Sequence, residues 1–253
     1  MYDTVIIGAG MAGLTAGIYL GRAEKKVLIV EAGVIGGQIV SALTIENWPG
    51  ELDISGRDLM GRVSEQAIKS GVEIRYEEIV DVVENDDEFT VVTDEGEYKC
   101  RSVIIAAGTS PRKMSEKQTL SAGDRPISYC ATCDGALYKN KTVVVVGSGN
   151  TAKHEIKYLE GICSKVYHIH HDESIPEEAE AVFVAIGRVP ATGFLNSLVD
   201  LDENGYVVAG EDCITSCSGV FVAGDCRTKS IRQLVTAAGD GAVVADAVVR
   251  YLS

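Results

Sequence analysis

At 253 residues with 46% hydrophobic side chains, the chain can bury one large core or two modest ones, which excludes a disordered polypeptide. A formal charge of −14 excludes nucleic acid or an anionic membrane surface as the main partner, because either would be repelled by the average surface. Twenty-seven glycines against five prolines point to tight turns and close backbone approaches rather than to low-complexity linkers.

In chain order, Thr4 to Ile7 reads as an apolar strand ending in Gly8-x-Gly10-x-x-Gly13. A helical stretch from Ala12 to about Arg22 and a strand from Val27 to Val30, closed by Glu31, complete a βαβ start. A second helix is predicted from Ser55, as N-cap, to Ser70, where Gly71 stops it. Alternating runs at Glu78 to Val83 and Phe89 to Thr93, turning at Asp94-Glu95-Gly96, predict an antiparallel meander before a buried strand from Val103 to Ala106. All apolar stretches are short and interrupted, so none is expected to span a bilayer. The opening Met1-Tyr2-Asp3 lacks the basic segment and apolar core of a secretion signal, so a cytoplasmic location is expected.

The pattern then starts again. Thr142 to Val146 is a second apolar strand, followed by Gly147-x-Gly149-x-x-Ala152 and a helix to about Leu159. Each copy closes on a similar segment, Ala106-Ala107-Gly108-Thr109-Ser110-Pro111 in the first and Ala185-Ile186-Gly187-Arg188-Val189-Pro190 in the second. From first glycine to closing proline the first copy covers 103 positions and the second only 43. Short strands are predicted near Tyr206 to Val208 and at Val220 to Ala223, the latter ending in Gly224-Asp225, and a long terminal helix from about Arg232. These last elements should return to the first domain.

Seven cysteines in a reducing compartment should be mostly free thiols, so the close pair in Cys130-Ala131-Thr132-Cys133 reads as redox chemistry or metal rather than a structural cross-link. Zinc would want a second pair of similar spacing; Cys213 and Cys217 lie in a small-residue turn with no histidine near them, and no metal site is expected. Cys100, Cys163 and Cys226 read as small buried side chains. The first glycine motif makes a tight turn, admits a pyrophosphate against the backbone and lays helix on strand, while the helix N-terminus stabilises negative charge. Glu31, eighteen residues beyond Gly13, stands where a carboxylate receives a ribose hydroxyl. By itself this says only "dinucleotide"; Gly36-Gly37-Gln38, Glu46-Asn47-Trp48-Pro49-Gly50 and the distant Gly224-Asp225 favour FAD over NAD.

With these segments in order, together with Cys130-Ala-Thr-Cys133-Asp134-Gly135 and Arg232-Gln233 through Thr236-Ala-Ala-Gly-Asp-Gly241, the sequence resembles the low-molecular-weight thioredoxin reductases along nearly its whole length. The resemblance implies an α/β fold of two Rossmann-like three-layer domains. Residues 1–111 and 191–253 would form a discontinuous FAD-binding domain, and residues 112–190 a shortened redox-disulfide domain, a degenerate form of the NADPH-type domain. By the same resemblance Gly8, Gly10 and Gly13 cradle FAD, Glu31 holds the adenosine ribose, and Gln38, beside Gly37, and Asn47 line the flavin. Asp225, after Gly224, would contact the ribityl-phosphate region, Gln233 would sit by the isoalloxazine ring, and the helix beginning near Arg232 would aim its positive end at the flavin. Gln38 and Asn47 can also be read as ordinary loop residues.

A Cys-x-x-Cys pair suits reversible two-electron exchange. The resemblance makes Cys133 the electron acceptor, Cys130 the thiol that forms a mixed disulfide with thioredoxin, and Asp134 the proton donor, although Asp134 can equally cap the turn before Gly135. Ala136 and Leu137 occupy positions where the family presents two aromatic residues to thioredoxin, so the partner contact differs here. Arg125 is either a partner-binding arginine or a solvated one.

The second glycine motif lacks what NADPH needs. The offset from Gly8 to Glu31, counted from Gly147, lands on His170, and the family's His-Arg-Arg stretch is replaced by His170-His171-Asp172-Glu173, whose acids would repel a 2′-phosphate. A βαβ unit takes roughly 30 or more residues, yet Ala181 follows His171 by only ten positions. The motif at Gly147 to Ala152 is therefore read as a retained packing turn. The resemblance narrows to the ferredoxin-dependent flavin thioredoxin reductases. The expected cycle is two single-electron transfers to FAD, reduction of the disulfide through Cys133, and attack of Cys130 on oxidised thioredoxin. Arg227, Lys229 and Arg232, or Arg112, Lys113 and Lys117, are candidate contacts for an acidic ferredoxin. A homodimer is expected from the family. Three rivals stay open: an NADPH-dependent thioredoxin reductase missing a segment after Asp172, a deazaflavin-dependent reductase, and a flavin-binding scaffold without turnover.

Overall fold

The computed structural model describes residues 1–42, 44–86, 88–170 and 173–253, and the side chains of all of these except Thr132 and Cys133. The chain divides into two compact units, one of Met1–Thr109 with Pro190–Ser253 and one of Ser110–Val189.

The first unit begins β1 (Tyr2–Ile7), α1 (Met11–Arg22), β2 (Val27–Glu31), α2 (Gly56–Lys69) and β3 (Glu73–Tyr76). It continues through β4 (Ile79–Asn85), β5 (Glu88–Thr93) and β6 (Glu97–Ile105), after which β7 (Thr109–Pro111) carries the chain into the second unit. The second unit holds α3 (Glu116–Ala122), β8 (Ile127–Ser128), α4 (Ala131–Asp134), β9 (Thr142–Val146), α5 (Asn150–Glu160), β10 (Lys165–Ile169) and β11 (Ala181–Val184). β12 (Arg188–Pro190), which pairs with β7, leads to β13 (Val220–Val222) and α6 (Leu234–Leu252).

In the first unit the strands run β3-β2-β1-β6-β5-β4. β6 is long enough to serve two neighbours on one side: residues 97–100 pair antiparallel with β5, and residues 103–105 pair parallel with β13. Strand alternation decides which layer each side chain enters. Ile6, Ile29 and Ile104 face the helices, packing with Leu14, Leu20 and Met60. Val5, Ile7, Leu28, Val30, Val103 and Ile105 face the other side, where Val82, Phe89 and Val91 of the meander and Leu195 and Val207 cover them. The nearly continuous apolar runs of β1 and β2 suit parallel strands covered on both faces. Glycine lets the helical layer approach closely: a Cβ on Gly241 of α6 would lie 2.5 Å from the Ala12 carbonyl oxygen of α1. Ser55 caps α2 by accepting the Asp58 amide, and Gly71 follows in the left-handed region (φ +88°).

The second unit is a four-stranded parallel sheet, β10-β9-β11-β8, among the described residues. Val143, Val145 and Phe183 pack against α4 and α5, and Val144, Val146 and Val182 pack on the opposite face with Ala122, Ile175 and Ala179. Complete burial of Phe183 alone is worth about 1.5–3 kcal/mol. This is the expected α/β architecture of two Rossmann-like layered units, the first discontinuous and the second short.

Two expectations need correction. Tyr206 to Val208 is not a strand: Val207 makes only isolated bridges to Leu201 and Arg227, because the turn at Asp202 takes up its neighbours' amides. The terminal helix starts at Leu234 with Gln233 as N-cap, not at Arg232. β3, α3, β8 and α4 were not expected; the last three are short, and Glu73–Tyr76 is too polar to stand out. No helix among the described residues is long and apolar enough to cross a membrane.

Candidate functional site

A cavity of about 650 Å³ opens in the first unit at the carboxyl ends of β1 and β6. This is where open α/β sheets receive ligands. Gly8, Gly10, Glu31, Gly37, Gln38, Asn47, Gly224, Asp225, Arg232 and Gln233 all line it; Gly13 does not. The three motif glycines have distinct jobs. A Cβ on Gly8 (φ +106°) would lie 2.4 Å from the Ala106 carbonyl oxygen, and one on Gly13 would lie 2.0 Å from the Gly8 carbonyl oxygen, so both are required by packing. A Cβ on Gly10 would meet nothing within 4 Å; it would project into open space at the head of α1.

That helix head has no side-chain cap and no acidic residue in its first turn, so its amides and the positive end of its dipole remain available to an anion. The open cradle at Gly10, the uncapped α1 terminus and a carboxylate at the end of β2 fit the pyrophosphate and ribose of a dinucleotide. Glu31 is fixed by two backbone amides, with Oε2 accepting from Ala9 at 2.7 Å and Oε1 from Gly33 at 2.8 Å.

The other end of the cavity is assembled from distant segments. Gln38 Nε2 donates to the Thr109 carbonyl at 2.6 Å and to Thr109 Oγ1 at 2.9 Å. Asn47 Nδ2 donates to Gln233 Oε1 at 3.2 Å, across 186 residues of chain. Gln233 is also the N-cap of α6, where it and Thr236 form a reciprocal capping box. The α6 N-terminus therefore points its first turn, through Leu234 and Ala237, into the cavity wall.

Behind the wall lies a charged cluster with no evident signal in the sequence. Asp240 Oδ2 accepts from the Gly224 amide (2.9 Å), Arg227 Nε (2.9 Å) and Lys229 Nζ (2.8 Å), and its Oδ1 accepts from Arg227 Nη2 (2.9 Å). Burial pushes the Asp240 carboxyl up, but the hydrogen bonds from Arg227, Lys229 and Gly224 outweigh it and hold the group below the usual carboxylate range. Arg227 is 3% exposed and the Lys229 side chain 6%. Arg232, which lines the cavity, lays its guanidinium over the Tyr206 ring and donates to the carbonyls of Asp225 and Arg227, whereas Arg227 and Lys229 are internal struts. They are not the solvent-facing contact for a ferredoxin that their sequence suggested.

In the second unit Cys130 is disulfide-bonded, at the entry to α4. The Cys133 side chain, and with it the expectation that Cys133 accepts electrons, lies outside the described residues, as do His171 and Asp172. Ser128, which no sequence pattern singled out, organises this segment. Its Oγ accepts the Cys130 amide at 3.1 Å and donates to Asp134 Oδ2 at 2.6 Å, so Asp134 is oriented by a side chain of β8. Gly135 allows α4 to press on α5, since a Cβ there would be 3.0 Å from Leu159 and Tyr158. Ala136 is exposed, and Leu137 is 73% exposed. Arg125 directs its guanidinium to the carbonyls of Ala122, Glu177 and Ala179, a structural clamp within this unit. The remaining described cysteines are free, and burial pushes the thiols of Cys100 and Cys213 up to about 12 and that of Cys226 to about 11, which keeps them protonated and unreactive at neutral pH.

The second glycine turn reproduces the first: a Cβ on Gly147 would strike the Ala185 carbonyl oxygen at 2.2 Å, one on Gly149 would meet nothing within 4 Å, and α5 has no side-chain cap. At the end of the following strand, however, His170 stands in place of the carboxylate, its amide donating to Glu173 at 3.0 Å.

The sequence pattern of the pyridine nucleotide-disulphide oxidoreductases matches residues 2–178 and 171–241. A thioredoxin reductase of Listeria innocua is 35% identical over 300 aligned positions, covering 100% of this chain and 94% of that protein. Among solved structures, thioredoxin reductase from Lactococcus lactis superposes with a TM-score of 0.89 at 30% identity, over 100% of this chain and 99% of that one. A ferredoxin-flavin thioredoxin reductase from Clostridium acetobutylicum does so with a TM-score of 0.64 at 29% identity, over 99% and 97%. With a dinucleotide cradle in one unit and a disulfide at Cys130 in the other, the chain belongs to the pyridine nucleotide-disulphide oxidoreductase family, as a disulfide oxidoreductase of the thioredoxin reductase type whose cofactor is FAD.

Proposed function

We propose that the protein reduces thioredoxin with electrons delivered by a protein donor, reduced ferredoxin, rather than by a nicotinamide nucleotide. The observation that carries this reading is the brevity of the second unit. β10 ends at Ile169, β11 begins at Ala181, and the described residues between them contain no helix. A nucleotide-binding half of the βαβαβ kind needs a second crossover helix there. The chain's 253 residues align over 300 positions of the Listeria relative, so at least 47 of those positions have no counterpart here, and we place most of them in this unit.

In this reading the first unit is the FAD-binding domain. The α1 amides around Gly10 hold the pyrophosphate, Glu31 a ribose hydroxyl, Asp225 the ribityl-phosphate region, and Gln38, Asn47 and Gln233 the ring. When bound, FAD supplies the ability to collect single electrons and release them in pairs. The positive dipole end of α6, capped by Gln233 and Thr236, favours negative charge at that end of the cavity. The second unit is the redox domain. After reduction the Cys130 thiolate attacks one sulfur of oxidised thioredoxin, forming a mixed disulfide and expelling the other sulfur as a thiolate. Cys133 then attacks the Cys130 sulfur and displaces the thioredoxin sulfur bonded to it, restoring the Cys130–Cys133 bond and releasing the dithiol. Asp134, held by Ser128, supplies a proton to the departing thiolate. Arg112, Lys113 and Lys117 are exposed and are the remaining candidates to receive an acidic ferredoxin. A cytoplasmic homodimer belongs to this reading on the family resemblance alone.

A second reading, an NADPH-dependent thioredoxin reductase, is favoured by the open turn at Gly147 and Gly149. Anaerobic thioredoxin reduction separates the two. Turnover with reduced ferredoxin but not NADPH, abolished in Cys130→Ser, is expected; turnover with NADPH at an equal or higher rate refutes the proposal.

A further inference from the structure

One half-buried acid in the second unit has no part in the mechanism above. Glu155 lies on α5 with its carboxyl turned toward α4, where it accepts the backbone amide of Ala131, the residue that follows Cys130. Its other oxygen, Oε2, is buried and has no hydrogen-bond partner among the described residues. A carboxylate in that position carries a charge that only one amide and a more distant cation compensate, and such a group prefers to be neutral. The elements packed against α5 bring few titratable groups to oppose this. β9, Thr142–Val146, has none; β10 contributes Lys165, Tyr167 and His168; α4 contributes Asp134, with Cys130 just before it in the chain. Burial pushes the Glu155 carboxyl up to about 7, with the Ala131 amide and the charge of Arg188 on β12 only partly restraining it.

We propose that Glu155 is a positioning residue of the disulfide: it takes up a proton when the Cys130 disulfide is reduced and returns it on reoxidation. The inference rests on the reading of that disulfide as the redox centre. Two electrons, supplied by the flavin-dependent activity, and one proton convert the disulfide to one thiol and one thiolate. A new thiolate at Cys130, next in the chain to the Ala131 amide that Glu155 accepts, disfavours a second negative charge nearby, so Glu155 binds a further proton and becomes a carboxylic acid. Because linkage is reciprocal, ionisation of Glu155 at higher pH makes the disulfide harder to reduce. A neutral Glu155 also keeps its hydrogen bond to the Ala131 amide, so the cysteine loop is held in both redox states while only the charge changes.

The test is the disulfide's reduction equilibrium in dithiothreitol buffers, read by thiol labelling of the full chain across pH 5 to 9, in the unmutated protein, Glu155→Gln and Asp134→Asn. Glutamine keeps an acceptor for the Ala131 amide and removes the charge. Below about pH 6 the unmutated protein and Glu155→Gln should agree. Above pH 7 Glu155→Gln should become easier to reduce, by up to tenfold, a shift of about 30 mV for a two-electron couple. Asp134→Asn should retain the dependence on Glu155. Coinciding curves for the unmutated protein and Glu155→Gln at every pH overturn the inference. Absence of a reversible couple sensitive to Cys130→Ser overturns instead the reading beneath it. A second measurement is independent of any substitution: the reduced-minus-oxidised infrared difference spectrum at pH 7.5 should show the gain of a protonated carboxyl, and a spectrum without one also refutes the inference.

Discussion

Replacing Asp240 by asparagine tests the charged cluster behind the cavity. The substitution changes almost no volume but leaves two buried cations, Arg227 and Lys229, facing a neutral amide whose NH₂ group repels their donors. The side chains are 4% and 6% exposed, so water cannot make up the loss. Breaking a buried pair by removing one partner costs about 3–5 kcal/mol, against about 0–1 kcal/mol for an exposed pair. At roughly 2–4 °C per kcal/mol for a domain of this size, the first unfolding transition should fall by about 6–20 °C. The Gly224 amide would lose its anchor at the same time, so the variant should also purify with less flavin. Substituting all three charged groups by apolar residues of similar size should restore much of the stability, because the desolvation cost disappears with the charges. Calorimetry of the FAD-free protein, which removes ligand linkage, reads the first effect and the 450-nm-region flavin absorbance per chain reads the second. A drop of less than about 2 °C for Asp240→Asn would refute the argument that this cluster is buried and mutually dependent.

Other expectations follow from the same geometry. Gly10→Val should fold normally, since its Cβ meets nothing, yet lose FAD, whereas Gly13→Ala, with its Cβ 2.0 Å from the Gly8 carbonyl oxygen, should lose stability even without FAD; circular dichroism and flavin content distinguish the two. Glu155 binds a proton more tightly folded than unfolded, so its contribution to stability is present below its ordinary titration range and is lost as pH rises toward about 7. Glu155→Gln should therefore be the more stable protein above pH 7 in urea titrations, and an identical pH profile for both proteins would contradict this. Asp240 has the opposite sign: its folded carboxyl is held low, so its stabilisation is present above the ordinary carboxylate range and is lost as pH falls below it. Ser128→Ala should slow thioredoxin reduction by roughly tenfold, corresponding to loss of about 1.4 kcal/mol from one charge-assisted hydrogen bond, while leaving flavin content unchanged.

What the sequence disclosed depended on how local the physical cause was. Gly8 and Gly147 were legible because a backbone that must pass within 2.4 Å and 2.2 Å of a carbonyl where a side chain would be leaves no other residue type, and because the apolar runs before them announce buried parallel strands. The end of the cavity formed by Gln38, Asn47 and Gln233 was only half legible. Asn47 and Gln233 stood out as residues, but their hydrogen bond spans 186 positions and depends on β13 returning beside β6. Arg227 and Lys229 misled because a basic pair in a polar loop looks solvated, and the carboxylate that buries them, Asp240, sits in a helix eleven and thirteen residues away. Ser128 and Glu155 gave no signal: one is a lone serine in a two-residue strand, the other one acid among the polar positions of α5. Tyr206 to Val208 had the alternation of a strand without a neighbour long enough to pair with.

On the proposed function, the shortened second unit leaves the flavin to be charged by something other than a nicotinamide nucleotide. Anaerobic stopped-flow absorbance, with the oxidised protein mixed in turn with NADPH, NADH and reduced ferredoxin, tests it most directly. Rapid loss of the yellow colour is expected with ferredoxin and none with either nucleotide. Rapid bleaching by a stoichiometric amount of NADPH would contradict it.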